Sequence, residues 1–173
     1  DFLFLDDKST DKTLKIIKNN RFKNSKIFEN KTNQGFGLNY KFSINFAKKN
    51  KYEFIIFLHG DNQYPAEKIS LIEKKLNYCS LCYGSRRLNK SSMIKNMPLS
   101  RYIANIILTF LINVIFKNNA SEYFSGFRGI NLRYLKSINL KEFSDNWVIE
   151  QQVHFAFIKK KFKISLIAIN TRY

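Results

Sequence analysis

The sequence predicts an α/β fold in which a mainly parallel central sheet is flanked by helices. Apolar runs such as Phe2–Leu5 and Phe54–Leu58 are continuous rather than alternating, which is typical of strands buried on both faces. Segments with helical spacing of apolar residues separate these runs, as in repeated strand–helix units. Polar clusters follow the runs, and the carboxyl edge of an open parallel sheet is where such folds bind ligands.

Composition indicates one globular domain spanning residues 1–173, with 45% hydrophobic and 25% charged residues. The net charge of +17 favours acidic partners such as anionic lipid or phosphorylated substrates, although a compositional bias towards Lys on a solvated surface explains it equally well. A nucleic-acid-binding module is excluded because basic residues are not interleaved with aromatic ones and the strand ends are acidic. Cys79 and Cys82 lack the second pair that a zinc ribbon needs, so we interpret them as structural and expect a cytoplasmic protein.

Each element follows from local pattern. Besides Phe2–Leu5, we predict strands at Lys26–Phe28, Phe54–Leu58, Leu81–Tyr83 and Phe162–Ile169. The predicted helices are one capped by Ser9 or Thr10 that ends near Asn19 and Asn20, one from Gly35 to Lys49, one from Pro65 to Leu76, a short one after Ser125–Gly129 and one at Val148–Lys160. Residues 86–100 are predicted to form a mobile loop.

The uncharged segment Tyr102–Phe116 has two interpretations. It is shorter than the roughly 20 residues of a membrane-spanning helix. It is therefore either a helix of the protein core or one that lies in a membrane interface. The core interpretation is favoured by Asn105, Thr109 and Asn113, which recur every four residues and form one polar stripe.

Acidic side chains follow two of the predicted strands. Asp6 and Asp7 end the first strand, where they either face the crevice or pair with lysines. If the segment after Leu58 is extended, Asp61 and Gln63 lie on one side of the chain and present two oxygens to Mg²⁺ or Mn²⁺. His59 shares that phase and is either a further ligand or a histidine that ends its strand with its hydrogen bonds satisfied.

Arginines and further carboxylates complete the set of candidates. Arginine forks match phosphate geometry, and four arginines are candidates for it: Arg86, Arg87, Arg101 and Arg128. The candidate general bases are Glu122, Asp145 and Glu150, which the sequence does not rank. The alternative for the arginines is a plain surface charge, which suits Arg128 least because it lies near a glycine in an apolar segment. The alternative for each carboxylate is a structural role.

Seven segments in order resemble the family 2 glycosyltransferases of the GT-A fold, and within them the branch of dolichyl- and polyprenyl-phosphate mannosyltransferases. The segments are DDKSTDKT at 6–13, NQGFGLN at 33–39, HGDNQYP at 59–65, YGSR at 83–86, SRYIAN at 100–105, EYFSGFRG at 122–129 and TRY at 171–173. The first Asp of the family's D-x-D segment is His59 here, as in a sub-branch that carries HGDGQ. The family's opening strand has no counterpart, so we expect a sheet without its first strand.

The resemblance implies an inverting transferase that uses a nucleotide-diphospho-sugar donor and a divalent cation at Asp61 and Gln63. It implies that the donor is bound by residues of the matching segments, namely Asp6, Asp7, Ser9, Asn33, Gly35, Gly37, Gly84, Ser85 and Arg86. The acceptor is a polyprenyl phosphate or a saccharide in cell-envelope glycan synthesis, which agrees with a location at the inner face of the cytoplasmic membrane. The alternative is a protein of the same fold that binds a nucleotide sugar without turnover, because His59 replaces an acidic ligand.

Overall fold

The protein is described by a computed structural model that covers residues 1–20, 22–88 and 98–172. The strands are β1 (Phe2–Asp6), β2 (Ser25–Glu29), β3 (Phe54–Phe57), β4 (Leu81–Ser85), β5 (Arg128–Asn131) and β6 (Ile164–Ala168). The α-helices are α1 (Thr13–Asn19), α2 (Phe36–Lys49), α3 (Ile69–Leu76), α4 (Leu99–Phe116) and α5 (Ile149–Lys159). Short 3₁₀ helices span Ala66–Lys68, Leu132–Ser137 and Leu140–Glu142.

The strands form two small sheets. β1 and β2 pair in parallel, and a second sheet has the order β3-β5-β4-β6. In that sheet β4 and β6 are parallel, whereas β5 is antiparallel to both of its neighbours. The predicted α/β class is confirmed, but the larger sheet is mixed because β5 begins at the edge where β4 ends, with Arg128 opposite Tyr83. A missing first strand stays a prediction.

The larger sheet has an apolar cluster on each face. Leu81, Tyr83 and Ile130 contribute to the cluster that includes α2 and α5. Cys82 and Phe127 contribute to the cluster that includes α3. Residues therefore alternate between the faces with the period of two that a strand imposes. This explains the continuous apolar runs, because helices cover both faces.

Cys79 and Cys82 are buried free thiols, in agreement with a structural role.

Close packing of α3 on the sheet depends on Gly129 in β5. A Cβ at this position would lie 2.5 Å from Ile72 Cγ2 and 2.8 Å from Leu76 Cδ1. The absence of a side chain lets α3 pack directly on the sheet.

The predicted cap of the first helix is wrong. α1 begins at Thr13 after Lys12, and the Asp11 side chain accepts a hydrogen bond of 2.9 Å from the Thr13 amide. The Ser9 amide instead donates to the Asp6 carboxylate at 3.1 Å. The turn that makes this possible has Lys8 at φ 65°, a left-handed conformation that the sequence pattern does not reveal.

Other predicted bounds shift by a few residues. The helix predicted from Pro65 begins as the 3₁₀ turn at Ala66–Lys68 and becomes α-helical only at Ile69. The helix predicted at Val148–Lys160 is α5, and Val148 is its N-cap residue. Residues 89–97 of the predicted mobile loop lie outside the described residues.

Helix α4 has its polar stripe against the protein and its apolar face outward. Asn105 and Thr109 are its buried residues, and Asn113 exchanges hydrogen bonds of 2.9 and 3.0 Å with the backbone of Ala120. The large apolar side chains that are exposed are Leu99, Ile103, Ile107, Leu108, Phe110, Leu111, Val114 and Ile115. The interpretation as a core helix is therefore wrong.

Within the described residues, α4 is also the helix that is long and apolar enough to cross a membrane, with a mean hydropathy of 1.7 over an 18-residue window of which 11% is buried.

Candidate functional site

The segments after β1 and β3, the segment before β5 and the start of α2 contact one another, and we call the region around these contacts the crevice. Asp7, after β1, holds the backbone at the start of α2, with an Oδ2 to Gly35 nitrogen distance of 2.9 Å. Phe36, the first residue of α2, has its ring edge-to-face with His59 after β3. A Cβ at Gly126, before β5, would lie 2.5 Å from the His59 ring. The clusters after β1 and β3 are thus linked through the start of α2, although these two strands belong to different sheets.

The two aspartates after β1 have different environments. Asp6 is buried, with Oδ2 accepting from the Ser9 amide and Oδ1 buried without a hydrogen-bond partner in the described part of the chain. Asp7 accepts 2.7 and 2.9 Å bonds from the Gln34 and Gly35 amides and another from Asn30. Partial burial raises the pKa of Asp7, but these hydrogen bonds outweigh it and the net pKa is below the usual value. Asp7 therefore organises the loop, and the predicted contact of Asp6 with the donor stays a prediction.

The glycines before and in α2 bring this helix against the segment 143–147. Gly35 has φ 81°, and its amide also donates to the Asn33 side chain at 3.1 Å. A Cβ at Gly37 would lie 2.2 Å from the carbonyl carbon of Asp145, and the Gly37 amide donates to the Asp145 carbonyl at 3.1 Å. Gly35 and Gly37 thus fix the start of α2 against this segment, and the predicted contacts of Asn33, Gly35 and Gly37 with the donor stay predictions.

The segment after β3 is a turn, which corrects the extended conformation that we predicted. Asn62 has φ 57°, and Asp61 Oδ1 accepts a hydrogen bond of 3.0 Å from the Gln63 amide. The Gln63 carbonyl accepts from the Arg172 amide at 3.0 Å, which ties the turn to the last described residues. Asp61 is exposed and Gln63 half-buried, so the acidic group stands at the surface of the crevice.

His59 packs among three aromatic rings. Its ring lies edge-to-face at centroid distances of 5.6 Å from Phe36, 5.6 Å from Tyr64 and 5.9 Å from Trp147. Its Nε2 is buried without a hydrogen-bond partner among the described residues. Burial is the main cause that lowers the pKa of His59, and Asp61 opposes the shift. The neutral imidazole is the form that ligates metals, so the role of His59 as a further ligand stays a prediction.

Asp61 is suited to a divalent cation whose remaining ligands come from water and substrate rather than from the protein. The described residues contain no cluster of three His, Cys, Asp or Glu side chains suited to a metal. Mg²⁺, however, commonly takes one or two protein oxygens and completes its shell with water and substrate phosphates. The exposed Asp61 carboxylate, next to the Gln63 amide, is compatible with a site of this second kind.

Arg86 and Glu122 form a buried ion pair at the end of β4. Glu122 is 0% exposed and accepts from the Arg86 backbone at 2.9 Å, from its Nε at 2.6 Å and from its Nη2. Asn105 of α4 adds a 3.3 Å bond to the same carboxylate. Glu122 thus anchors Arg86 and α4, an arrangement that suits a positioning residue better than a general base.

Residues 84 and 85 also pack within the protein. A Cβ at Gly84 would lie 2.5 Å from Ile169 Cδ1, and the Ser85 and Ser121 hydroxyls are 2.7 Å apart. Both residues hold the end of β4 against its neighbours, and their predicted contact with the donor stays a prediction.

Arg128 and Glu150 form a second buried ion pair. Arg128 is 1% exposed and donates to the carbonyls of Ser125 and Glu150, with its Nε 3.5 Å from Glu150 Oε1. Burial raises the pKa of Glu150, an effect that Arg128 reduces. We therefore do not place Arg128 among the groups that contact phosphate, nor Glu150 among the exposed bases.

His154 lies on α5 near this pair, and its burial makes the free energy of unfolding depend on pH. It is buried, neither ring nitrogen has a partner in the described chain, and burial lowers its pKa well below the usual 6.5. The unfolded chain therefore binds a proton more readily, so its contribution to stability is complete above pH ~6.5 and is lost as the pH falls further. We expect urea denaturation to show a shallower loss of stability below pH ~6.5 in His154→Leu than in the wild type. Equal pH slopes in the two proteins would contradict the neutral buried histidine.

Asp145 is the one candidate base that is exposed. Its side chain is 58% exposed and lies 2.7 Å from Lys41 Nζ, which also donates to the Phe143 carbonyl at 2.6 Å. Lys41 thereby fixes the position of this carboxylate beside the start of α2. Arg87 is half-buried next to Arg86, and Arg101 is exposed in the first turn of α4.

Sequence reasoning missed Trp147, Phe36 and Lys41. Phe36 and Trp147 stack face to face with ring centroids 4.0 Å apart, beside His59. The available signal was that Trp147 is the single tryptophan of the chain and follows the candidate base Asp145 by two residues.

Residues 1–138 match the family model described as Glycosyl transferase family 2. The chain belongs to glycosyl transferase family 2. An uncharacterised protein of Methanocaldococcus jannaschii is 30% identical over an alignment that covers all of this chain and 77% of that protein. Membership of this family implies glycosyl transferase activity with a nucleotide sugar as the donor. The GT-A fold of the family agrees with the α/β architecture of the chain.

Proposed function

We propose that this glycosyl transferase moves a sugar with inversion from a nucleotide-diphospho-sugar to a lipid-linked or saccharide acceptor. The observation that carries the proposal is the exposure of two carboxylates on segments that meet, since Asp61 follows His59, Asp145 precedes Trp147 and those two rings lie 5.9 Å apart. Glu122 and Glu150, in contrast, are buried in ion pairs. One carboxylate can serve the leaving group and the other the incoming nucleophile.

The proposed reaction is a single displacement. An acceptor oxygen forms a bond to the anomeric carbon while the bond from that carbon to the diphosphate breaks, and the diphosphate leaves with the electron pair. If the acceptor is a hydroxyl, Asp145 takes its proton, with Lys41 holding the carboxylate in position. If the acceptor is a phosphate, it is already an anion and needs no base.

A divalent cation, Mg²⁺ or Mn²⁺, would be held by Asp61 with Gln63 beside it and would neutralise the charge of the leaving diphosphate. We retain Asp6 as a donor-binding residue because its Oδ1 accepts no hydrogen bond among the described residues. Arg87 and Arg101 are the described arginines that we retain for phosphate on the acceptor side, because Arg86 and Arg128 are buried in ion pairs.

A location at the inner face of the cytoplasmic membrane is supported by α4 and by charge. The exposed apolar face of α4 lies next to Arg101 and Lys117, and the whole chain carries a net charge of +17. An interfacial helix binds through buried apolar area together with attraction to anionic lipid. We therefore propose an anionic bilayer surface as the partner of α4.

Removing two apolar side chains from α4 should release the protein from anionic vesicles. Ile107→Asn combined with Phe110→Asn is expected to weaken co-sedimentation with phosphatidylglycerol vesicles by about tenfold or more, since each buried side chain contributes ~1.5–3 kcal/mol. Tyr78→Asn, at an exposed side chain outside α4, is the matched control. Equal sedimentation of all three proteins, or none for the wild type, would exclude this surface.

The acceptor is tested by incubating the protein with UDP-glucose or GDP-mannose and either a polyprenyl phosphate or a simple saccharide, followed by mass spectrometry of the products. A glycosylated lipid phosphate would support the lipid-linked acceptor, and an extended saccharide the other. Tight donor binding with no product in any combination would favour the alternative function, a nucleotide-sugar-binding protein without turnover, to which the enclosed His59 points.

A further inference from the structure

Trp147 is an exposed aromatic ring at the crevice that the proposed chemistry does not use. It is 64% exposed, although it is the only tryptophan of the chain. Its ring stacks on Phe36 with centroids 4.0 Å apart and an interplanar angle of 12°. One face of the indole is thus covered by Phe36, and most of the residue remains exposed.

The backbone that carries this ring is fixed to helix α2. The Asp145 carbonyl accepts from the Gly37 amide at 3.1 Å, in a contact too close for any Cβ at position 37. Lys41 donates to the Phe143 carbonyl and to the Asp145 side chain. Trp147 is therefore presented in a defined orientation, which is what a binding surface requires and an incidental surface residue does not.

The position of the ring indicates which part of a substrate it meets. The Trp147 and His59 rings are 5.9 Å apart, and Asp61 follows His59 by two residues. A group lying over the indole is therefore beside His59, two residues before the carboxylate that we assign to the leaving diphosphate. In a nucleotide sugar the group next to the diphosphate, at the reacting end, is the sugar ring.

We propose that Trp147 is a stacking platform for a hexopyranose ring, an inference that rests on the proposed transferase function. The C–H bonds on one side of a pyranose form a flat apolar surface with partial positive charge. The face of an indole carries the negative part of its quadrupole and a large apolar area, so the two surfaces are complementary. Covering the indole also removes from water the large apolar surface that the protein exposes here.

The ring over Trp147 belongs either to the donor sugar or to a saccharide acceptor, and the single tryptophan makes both measurable. In one arm, UDP-glucose and GDP-mannose are compared with UDP and GDP for their effect on the fluorescence emission maximum. In the other arm, methyl glucoside and methyl mannoside are added to protein saturated with the nucleoside diphosphate. A shift to shorter wavelength that requires the sugar, in either arm, supports the platform and identifies its source.

Three variants separate this role from a structural one. Trp147→Ala is expected to weaken binding of the nucleotide sugar, or of the saccharide if the second arm responds, by about tenfold in calorimetry while leaving nucleoside diphosphate binding unchanged. Trp147→Phe should restore most of the affinity because it keeps an aromatic face. Val148→Ala, at an exposed neighbour, should behave as the wild type.

Two results would overturn the proposal while leaving the transferase function intact. One is an equal loss of nucleoside diphosphate and nucleotide-sugar affinity in Trp147→Ala, which would assign the ring to the nucleobase or to the fold. The other is a Trp147→Ala variant that binds the nucleotide sugar and the saccharide as tightly as a wild-type protein that transfers sugar. A wild-type protein that binds no nucleotide sugar and transfers none would instead remove the proposed function, and this inference with it.

Discussion

Asp61→Asn is expected to reduce sugar transfer by about 100-fold or more. The exposed carboxylate is the one that we assign to the cation that neutralises the leaving diphosphate, and single groups of this kind contribute ~10²–10³-fold to the rate constant. The amide keeps an oxygen that can accept the hydrogen bond from the Gln63 backbone, so the turn after β3 should be preserved. The measurement is the initial rate of transfer at saturating donor.

The matched control for Asp61→Asn is Glu67→Gln, which removes another exposed carboxylate six residues along the chain. It should retain the wild-type rate. If Asp61→Asn also transfers at the wild-type rate, the assignment of the cation and the leaving group to this turn is wrong, whatever the acceptor proves to be.

Glu122→Gln is expected to destabilise the protein by ~3–5 kcal/mol, because it leaves the charge of Arg86 buried without a carboxylate. The pair joins the end of β4 to the segment before β5 and, through Asn105, to helix α4. A large loss of stability should therefore appear as a lower midpoint of urea denaturation.

An exposed ion pair provides the comparison for Glu122. Lys18 and Glu29 lie 3.2 Å apart with side chains 53% and 42% exposed, so Glu29→Gln should cost less than ~1 kcal/mol. The double variant Arg86→Met with Glu122→Leu should recover much of the stability lost in Glu122→Gln, since it leaves no unpaired charge. A Glu122→Gln protein as stable as Glu29→Gln would show that the carboxylate is not an anchor.

The sequence predicts the fold well where local patterns decide it. Continuous apolar runs indicate strands covered on both faces, and Leu81, Cys82 and Tyr83 do alternate between two apolar clusters. The antiparallel β5 is different, because a run of four residues carries no information about its direction in the sheet. Its direction is antiparallel because the chain, after α4, enters the sheet at the edge where β4 ends.

The site was predicted as a set of residues but not as a geometry. The turn after β3 depends on Asn62 in a left-handed conformation, which spacing arguments for extended chains do not include. The pairs Arg86–Glu122 and Arg128–Glu150 join residues 36 and 22 positions apart, so only the tertiary structure reveals which charges are neutralised in the interior. For α4 the polar stripe was identified, but which face meets the protein is decided by Glu122 and Ala120, outside the helix.

The most direct test of the account is a calorimetric titration of the protein with UDP and with GDP, each with and without Mg²⁺ or Mn²⁺, repeated on Asp61→Asn. We predict that one nucleoside diphosphate binds, that the cation strengthens its binding, and that Asp61→Asn removes the effect of the cation. Binding of neither nucleotide by the folded wild-type protein would contradict a nucleotide-sugar site in this crevice.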